Sequence, residues 1–259
     1  MKKTLALILA ACMSLSLVAC GGGAGSNPGT SGSQPSGGSQ SSGSQSTPGG
    51  DAASKTVGIA MPTQSLERWN RDGAYLDEQF KAAGYNTIVT YSDNKNEQQV
   101  NDIQNMLSQG VDLLIIAAID GNGLNTVMND AGASNIPVIA YDRLIMNDNV
   151  SYYVSFDNYT VGKLQGTYVK DTLDLDNAAG PFNIEFTGGD PADNNAPFFF
   201  NGAMDTLKPY IDSGKLNVVS GQTEFSVVGT EQWKTEAALN RAQNVLASFY
   251  SDGTKLDAW

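Results

Sequence analysis

Side chains that can hydrogen-bond to hydroxyl groups follow several of the apolar runs in this sequence. The loops "TQSLERW" (63–69), "YDRL" (141–144) and "GGDPADNN" (188–195) are rich in Arg, Asp, Asn and Trp, and Trp233 lies further along the chain. Arg and Asn donate to hydroxyl oxygens, Asp accepts from hydroxyl hydrogens, and a flat indole covers an apolar C–H face. These side-chain types suit a polyhydroxylated ligand.

The elements that carry these loops alternate between strands and helices. Three segments have apolar residues at helical spacing and are predicted to be helices. The residues are Leu76, Phe80 and Ala83 in the first, Val100, Ile103 and Leu107 in the second, and Leu239, Ala242, Leu246 and Phe249 in the third. This alternation is typical of βαβ units, and it predicts an α/β, doubly wound fold with parallel sheets. Ligands of such sheets bind beyond the carboxyl ends of the strands, where the polar loops lie. The predicted strands are "KTVGIAM" (55–61), "NTIVTYS" (86–92), "DLLIIAAI" (112–119), "IPVIAYD" (136–142), "YYVSF" (152–156), "FNIEFTG" (182–188) and "LNVVSG" (216–221).

Composition excludes several function classes. The formal net charge is −12, so phosphate backbones are repelled, nucleic-acid binding is disfavoured, and the ligand is expected to be neutral or cationic. The sequence contains no histidine, which removes the commonest general base, the usual zinc ligand and any histidine-centred triad. No glycine-rich phosphate-binding motif follows any predicted strand. The one glycine-rich stretch that could suggest such a motif, "GGGAGSNPG", lies in the predicted linker and follows no strand. We therefore expect no cofactor and no metal site, and any enzyme with this sequence would have to work with carboxylates, lysines or tyrosines.

The N-terminal region is predicted to export and tether the protein. Residues 1–20 combine two lysines, a short apolar run and "LVAC", as in the signal peptides of bacterial lipoproteins, whose cysteine becomes the lipidated first residue. Cys20 is therefore the expected lipid attachment site, although ordinary signal cleavage beside an incidental cysteine is the alternative. Residues 21–54 are rich in Gly and Ser and predict a flexible linker.

Longer motifs resemble a known family. The stretches "MPTQSLERW", "DIQNMLSQGVDLLIIAAIDG", "VIAYDRLI", "SFDNYTVGKLQG", "GGDPADNNAPFFFNGAM" and "LKPYIDSGKLNVVSGQ" are similar to the xylose-binding and multiple-sugar-binding proteins of ABC transporters. The resemblance covers nearly all of residues 55–257. It implies a type I periplasmic-binding-protein fold with two doubly wound lobes, the first at 55–157 and the second at 158–259, joined at a crossover near "VSFDN" (154–158).

The resemblance also implies a site and a function. It places a monosaccharide, an aldose such as xylose, glucose or galactose, in the cleft between the lobes, which close around it and deliver it to a membrane permease. The protein would be monomeric, without enzymatic activity, and held by its lipid at the outer face of the cytoplasmic membrane or in the periplasm. The residues implied at the sugar are Arg68, Trp69, Asp142 and Arg143 from the first lobe and Asp193, Asn195 and Trp233 from the second, with the two indoles on opposite faces of the ring.

Five of the seven implied site residues have a plainer interpretation. Trp69 lies seven residues before Leu76 and could be core, and Trp233 could be core at the start of a helix. Asp142 and Arg143 could cap a turn and pair with each other. Asn195 precedes "AP" and could be an N-cap, a role compatible with binding.

The second lobe is expected to be incomplete. Members of the family continue for on the order of a hundred residues beyond this end of the sequence, so the resemblance implies a C-terminal truncation.

Two other functions remain open. A lipid-anchored sugar sensor for a chemotaxis or kinase receptor would have the same sequence features. A glycoside hydrolase using Asp142 and Asp193 as acid and base is the enzymatic alternative.

Overall fold

The structure, a computed structural model, describes residues 55–259. The predicted signal segment with Cys20 and the predicted linker 21–54 lie outside the described residues. For description we divide the described chain into a first half, 55–157, and a second half, 158–259.

The first half is built on a five-stranded parallel sheet. Its strand order is β2-β1-β3-β4-β5, and β1 lies between β2 and β3 in continuous register. The order reverses at β1, so the prediction of a doubly wound α/β architecture is confirmed. The elements are β1 (Thr56–Met61), α1 (Glu67–Ala82), β2 (Asn86–Tyr91), α2 (Asn96–Ser108), β3 (Leu113–Ile116), α3 (Asn125–Ala133), β4 (Val138–Tyr141) and β5 (Tyr152–Val154).

Two apolar clusters cover the two faces of this sheet. Side chains alternate along each strand, so β1 sends Ile59 into one cluster and Ala60 into the other. Helix α1 packs on the first face through Leu76 and Phe80, while α2 and α3 cover the opposite face. The helical face predicted for α2 is confirmed, and that for α1 is confirmed at Leu76 and Phe80, whereas Ala83 is exposed at the C-cap of the helix.

The second half contains a much smaller sheet. Strands β6 and β7 pair in parallel over two residues each, and an isolated bridge joins Ile184 to Ala258. The strands predicted over 182–188 and 216–221 are therefore shorter than the apolar runs that suggested them. The elements are α4 (Asn158–Thr172), β6 (Phe182–Asn183), α5 (Ala196–Asp212), β7 (Leu216–Asn217), α6 (Phe225–Val228), a 3₁₀ turn (Glu231–Trp233) and α7 (Thr235–Phe249).

Helices α4 and α5 cross at backbone distance. A Cβ on Gly162 would lie 2.0 Å from the Phe199 carbonyl oxygen, and one on Gly202 would lie 2.1 Å from the Tyr159 carbonyl oxygen. Only glycine allows this approach, which brings the N-terminal ends of both helices toward the first half. The helix predicted from Leu239, Ala242, Leu246 and Phe249 is present as α7. Its apolar face is largely uncovered in the described residues, since Leu239 is 54% exposed.

Candidate functional site

All seven side chains expected at a ligand line one cavity of about 410 Å³. Arg68 and Trp69 occupy the first turn of α1, directly after the loop that follows β1. Asp142 and Arg143 follow β4 without an intervening residue. Strands β1 and β4 are parallel, with β3 between them, so their carboxyl ends meet at one edge of the sheet. The second half contributes Asp193 and Asn195 from the loop before α5 and Trp233 from the 3₁₀ turn.

Trp69 belongs to the core and to the cavity wall. Its side chain is only 2% exposed and joins the cluster that contains Ile59 and Met61. The guanidinium carbon of Arg68 lies 4.6 Å from the ring centroid, and that of Arg143 lies 5.3 Å away. The core interpretation of Trp69 is therefore right, and the core holds the indole in the cavity wall against two cations. Its role as a platform for a sugar stays a prediction.

Arg68 is held between two carboxylates. Its Nη2 donates to Asp142 Oδ2 at 2.6 Å, and its Nε donates to Asp72 Oδ2 at 3.3 Å. Partial burial would lower the pKa of Arg68, but the hydrogen bond to Asp142 and the charges of both carboxylates outweigh it and raise the pKa. The guanidinium is therefore a fixed positive charge at the cavity rim.

The backbone of Asp142 turns sharply at the end of β4. Its φ is 63°, a left-handed conformation that Asp tolerates better than most residues. Its N–H donates to the Val154 carbonyl at 2.7 Å, which fixes the turn against β5. The side chain pairs with Arg68 and not with its neighbour Arg143, so the interpretation as a self-paired turn is wrong.

Arg143 and Asp193 form a buried ion pair between the two halves. Their side chains are 8% and 4% exposed, and Arg143 Nε lies 3.2 Å from Asp193 Oδ2. Arg143 Nη1 also donates to the Ala118 carbonyl at 3.2 Å. Burial raises the pKa of Asp193, and the charge of Arg143 and the hydrogen bond from Trp233 only partly oppose that rise.

Asn195 stands at the N-cap position of α5, but its side chain does not cap the helix. Its Nδ2 donates to the Asp142 carbonyl at 2.6 Å, and its Oδ1 accepts from the Tyr153 hydroxyl at 2.7 Å. The N-cap interpretation is thus right for the backbone and wrong for the amide. The amide contributes to the cavity wall, where it holds the two halves together.

Trp233 is a surface-facing wall of the cavity. Its side chain is 37% exposed, which rules out the core interpretation, and its Nε1 donates to Asp193 Oδ2 at 3.1 Å. The indole packs edge-on against Phe199, with ring centroids 6.4 Å apart. It also covers Gly189, where a Cβ would lie 2.2 Å from an indole carbon.

Several wall residues were not predicted from the sequence. Phe156 and Asn158 lie at the passage into α4, Phe199 lies one turn into α5, and Leu66 and Glu67 precede Arg68. Asn158 lies at the end of the crossover predicted at 154–158, so its position in the sequence was a usable signal. Phe199 reaches the cavity because of the close crossing of α4 and α5, for which the loops gave no signal.

Gln99 supports the site from inside the first half. It is fully buried, its Nε2 donates to the Ala117 carbonyl at 2.9 Å, and its Oε1 accepts from the Ile119 N–H at 2.8 Å. These bonds fix the backbone on both sides of Ala118, whose carbonyl accepts from Arg143. The sequence offered a signal for this role, because Gln99 is a polar residue four positions before Ile103 and therefore on the buried face of α2.

Within residues 55–259, no three acidic or cysteine side chains are grouped so that they could hold a metal ion. No helix in the same range is both long and apolar enough to cross a bilayer.

Comparison with known proteins identifies the family that this parallel α/β fold belongs to. The chain belongs to the family of the periplasmic binding protein domain, whose model matches residues 57–259. Its fold is the type I periplasmic-binding-protein fold, and the chain covers the first lobe and part of the second.

Particular relatives are sugar receptors by name. The chain is 51% identical over 203 residues to the multiple sugar-binding periplasmic receptor ChvE of Rhizobium radiobacter, covering 78% of this chain and 57% of that protein. It is 35% identical over 202 residues to the D-xylose-binding periplasmic protein of Escherichia coli, covering 78% and 57%. The chain therefore spans little more than half the length of these curated relatives.

A solved structure gives the same picture. An ABC transporter solute-binding protein from Clostridium phytofermentans with bound β-D-glucose is 55% identical, with a TM-score of 0.77. The match covers 79% of this chain and 63% of that one.

Proposed function

We propose that this protein is the substrate-binding component of an ABC sugar importer. It binds a neutral monosaccharide, an aldose such as xylose, glucose or galactose, and delivers it to a membrane permease. The observation that carries the proposal is the convergence of seven hydrogen-bonding and aromatic side chains from both halves on one cavity of about 410 Å³. That volume lies within the range of about 300–1,000 Å³ found for small-molecule sites.

The charges around the cavity favour a neutral ligand. Arg68 is neutralised by Asp142, and Arg143 is neutralised by Asp193, so neither guanidinium has an unbalanced charge for a phosphate or carboxylate. The paired groups keep further hydrogen-bonding capacity, because a guanidinium has five N–H donors and a carboxylate has about four acceptor positions. Charge-assisted hydrogen bonds to hydroxyl groups are strong and directional.

Binding would proceed by hinge closure, for which periplasmic binding proteins are a standard example. A sugar that contacts both halves stabilises their closed arrangement, because only that arrangement offers it all its hydrogen bonds. We assign residues 55–157 and 158–259 to the two lobes. The sugar leaves unchanged, so the protein is a receptor and not an enzyme.

Sugar titration tests this function directly. We expect saturable calorimetric binding of at least one of D-xylose, D-glucose and D-galactose, with a change in tryptophan fluorescence. Arg143→Met removes a buried charged donor and should weaken binding at least about thirtyfold, since truncating a buried charge pair costs about 2–5 kcal/mol. The surface variant Lys208→Met loses only its pair with Asp212 and should bind like the wild type.

Two results would contradict the proposal. One is the absence of saturable binding of any common aldose by the wild type. The other is turnover of aryl glycosides, which would favour a hydrolase that uses Asp142 and Asp193. A sensory role in place of transport would leave binding intact and would be revealed by capture of a receptor rather than a permease.

We further propose that Cys20 is lipidated and that 21–54 tethers the receptor to the outer face of the membrane. The support is the "LVAC" stretch after a short apolar run. Intact mass of the membrane-extracted protein should begin at Cys20 and include acyl chains, and Cys20→Ser should release the protein from the membrane fraction. An unmodified N-terminus in the wild type would rule out the anchor.

A further inference from the structure

Three consecutive residues of the second half bind three consecutive residues of the first. We call this contact between 193–195 and 142–144 the seam. Asp193 Oδ2 lies 3.2 Å from Arg143 Nε, Asn194 Nδ2 donates to the Leu144 carbonyl at 3.0 Å, and Asn195 Nδ2 donates to the Asp142 carbonyl at 2.6 Å.

Asn194 differs from the other two members of its triplet because it does not line the sugar cavity, whereas Asp193 and Asn195 do. The other end of its amide also meets the first half, since Asn194 Oδ1 accepts from Asn122 Nδ2 at 3.3 Å. Both the nitrogen and the oxygen of the Asn194 amide are therefore hydrogen-bonded to the first half, outside the cavity where a sugar would lie.

Gly121 makes room for these bonds. A Cβ at this position would lie 2.2 Å from the Leu144 carbonyl oxygen and 2.5 Å from Asn194 Nδ2. The first of these atoms is backbone and cannot turn aside, so any larger residue would push the seam apart. The turn after β3 is thus shaped to receive Asn194.

We propose that Asn194 and Asn122 determine sugar affinity without touching the sugar, by stabilising the closed arrangement of the two halves. The proposal rests on the sugar-binding function proposed above. A ligand that needs the closed form binds with an apparent affinity that scales with the fraction of molecules that are closed. Hydrogen bonds that exist only when the halves meet raise that fraction whichever sugar is present.

Calorimetric titration of the full chain with D-glucose, D-galactose and D-xylose tests the proposal. Asn194→Ala removes two hydrogen bonds and should raise the Kd about three- to tenfold, mainly through faster dissociation. Because Asn194 contacts no sugar, the Kd should rise by the same factor for every sugar that the wild type binds. Asn122→Ala removes one of the two bonds and should give a smaller rise.

Asn129→Ala is the matched control. The Asn129 amide oxygen accepts only from Asn147 and Asn149, so its bonds stay within the first half and the Kd should not change. The double variant Asn122→Ala/Asn194→Ala should lose less than the product of the two single losses, since the two residues share one bond. Melting temperature measured without sugar separates loss of folding from loss of closure. If Asn194→Ala does not fold, Asn122→Ala tests the same contact from the other half.

An unchanged Kd in Asn194→Ala would overturn the proposal, as would a rise that differs between epimeric sugars, because that would indicate direct contact. A wild type that binds no sugar would instead contradict the proposed function.

Discussion

The two halves of the molecule support one cavity in different ways. In the first half a five-stranded sheet is covered on both faces, and the site residues stand at strand ends or on a helix that packs on that sheet. In the second half the sheet has two short strands, and large apolar side chains of α4 and α7 remain exposed.

This difference shows what fixes each set of site residues. Trp69 and Arg143 are positioned by the core beneath them and by the backbone that Gln99 holds. The Asn195 amide is positioned by polar contacts with the first half. Asp193 is positioned by Arg143 together with the Trp233 indole and the Asn195 N–H of its own half. The first half is therefore expected to keep its site geometry alone, whereas the second half depends on the seam.

The strongest test of this contrast compares one apolar residue from each half. Ile103 is fully buried in the first half, and Leu239 on α7 is largely exposed. Ile103→Ala should lower the free energy of unfolding by about 2–5 kcal/mol, because it leaves a cavity in a packed core. Leu239→Ala should stay within about 0.5 kcal/mol of the wild type, as surface substitutions usually do.

Urea denaturation monitored by circular dichroism measures both variants under the same conditions. Equal losses in the two variants would break the comparison, since they would mean that α7 is covered in solution.

A second, smaller test compares two glycines. A Cβ on Gly162 would lie 2.0 Å from the Phe199 carbonyl oxygen, whereas one on Gly58 would lie 2.9 Å from Leu114 Cδ2 and from Met106 Sδ. Both of these side chains are buried, but flexible side-chain atoms can still adjust more easily than backbone. Gly162→Ala should therefore cost about 1–3 kcal/mol of stability, the usual cost of overpacking, and Gly58→Ala should cost less.

The same two variants test whether the packing of α4 against α5 affects the cavity. Displacing α5 in Gly162→Ala moves Phe199, which lines the cavity, so sugar affinity should fall together with stability. Gly58→Ala should leave affinity unchanged. Equal stability losses, or unchanged affinity in Gly162→Ala, would indicate that the α4 and α5 crossing adjusts without affecting the cavity.

These contrasts also explain how much of the fold the sequence predicts. Apolar runs bounded by polar loops correctly located β1 to β4. The signal is most continuous in β1 and β3, which lie inside the sheet and are buried on both faces. The run 182–188 carries the same signal, yet only Phe182 and Asn183 pair with β7. Apolar content indicates burial, but pairing depends on a partner that the run itself does not specify.

The site was predictable only in part. Residues that follow parallel strands lie toward one edge of the sheet, so the strand pattern indicated the loops 63–69 and 141–144. The choice of Arg68, Asp142 and Arg143 within those loops came from the resemblance to the family. The strand pattern does not place Phe199, because this ring reaches the cavity only through the backbone contact that Gly162 permits. Periodicity likewise identified α7 as amphipathic, but it does not say whether another element covers the apolar face.

The smallest expected effect concerns the buried ion pair of the seam and its dependence on pH. Burial raises the pKa of Asp193 above its ordinary value of 3.8, and Arg143, the Asn195 N–H and Trp233 offset that rise only in part. The folded protein therefore takes up this proton before the unfolded chain does as the pH falls. It follows that Asp193 contributes stability that is fully present below about pH 3.8 and is lost as the pH rises through the raised pKa.

Asp193→Asn removes this titration and keeps the shape of the side chain. The free energy of unfolding of the wild type, minus that of the variant, should therefore decrease as the pH rises from just below 3.8 toward neutrality. Urea denaturation of both proteins across that range measures the difference and cancels the carboxylates they share, including Asp77 and Asp257, whose lowered pKa values act in the opposite direction. A difference that grows with pH would mean that the pairing with Arg143 outweighs burial, and the second half would then be held by charge attraction as well as by neutral hydrogen bonds.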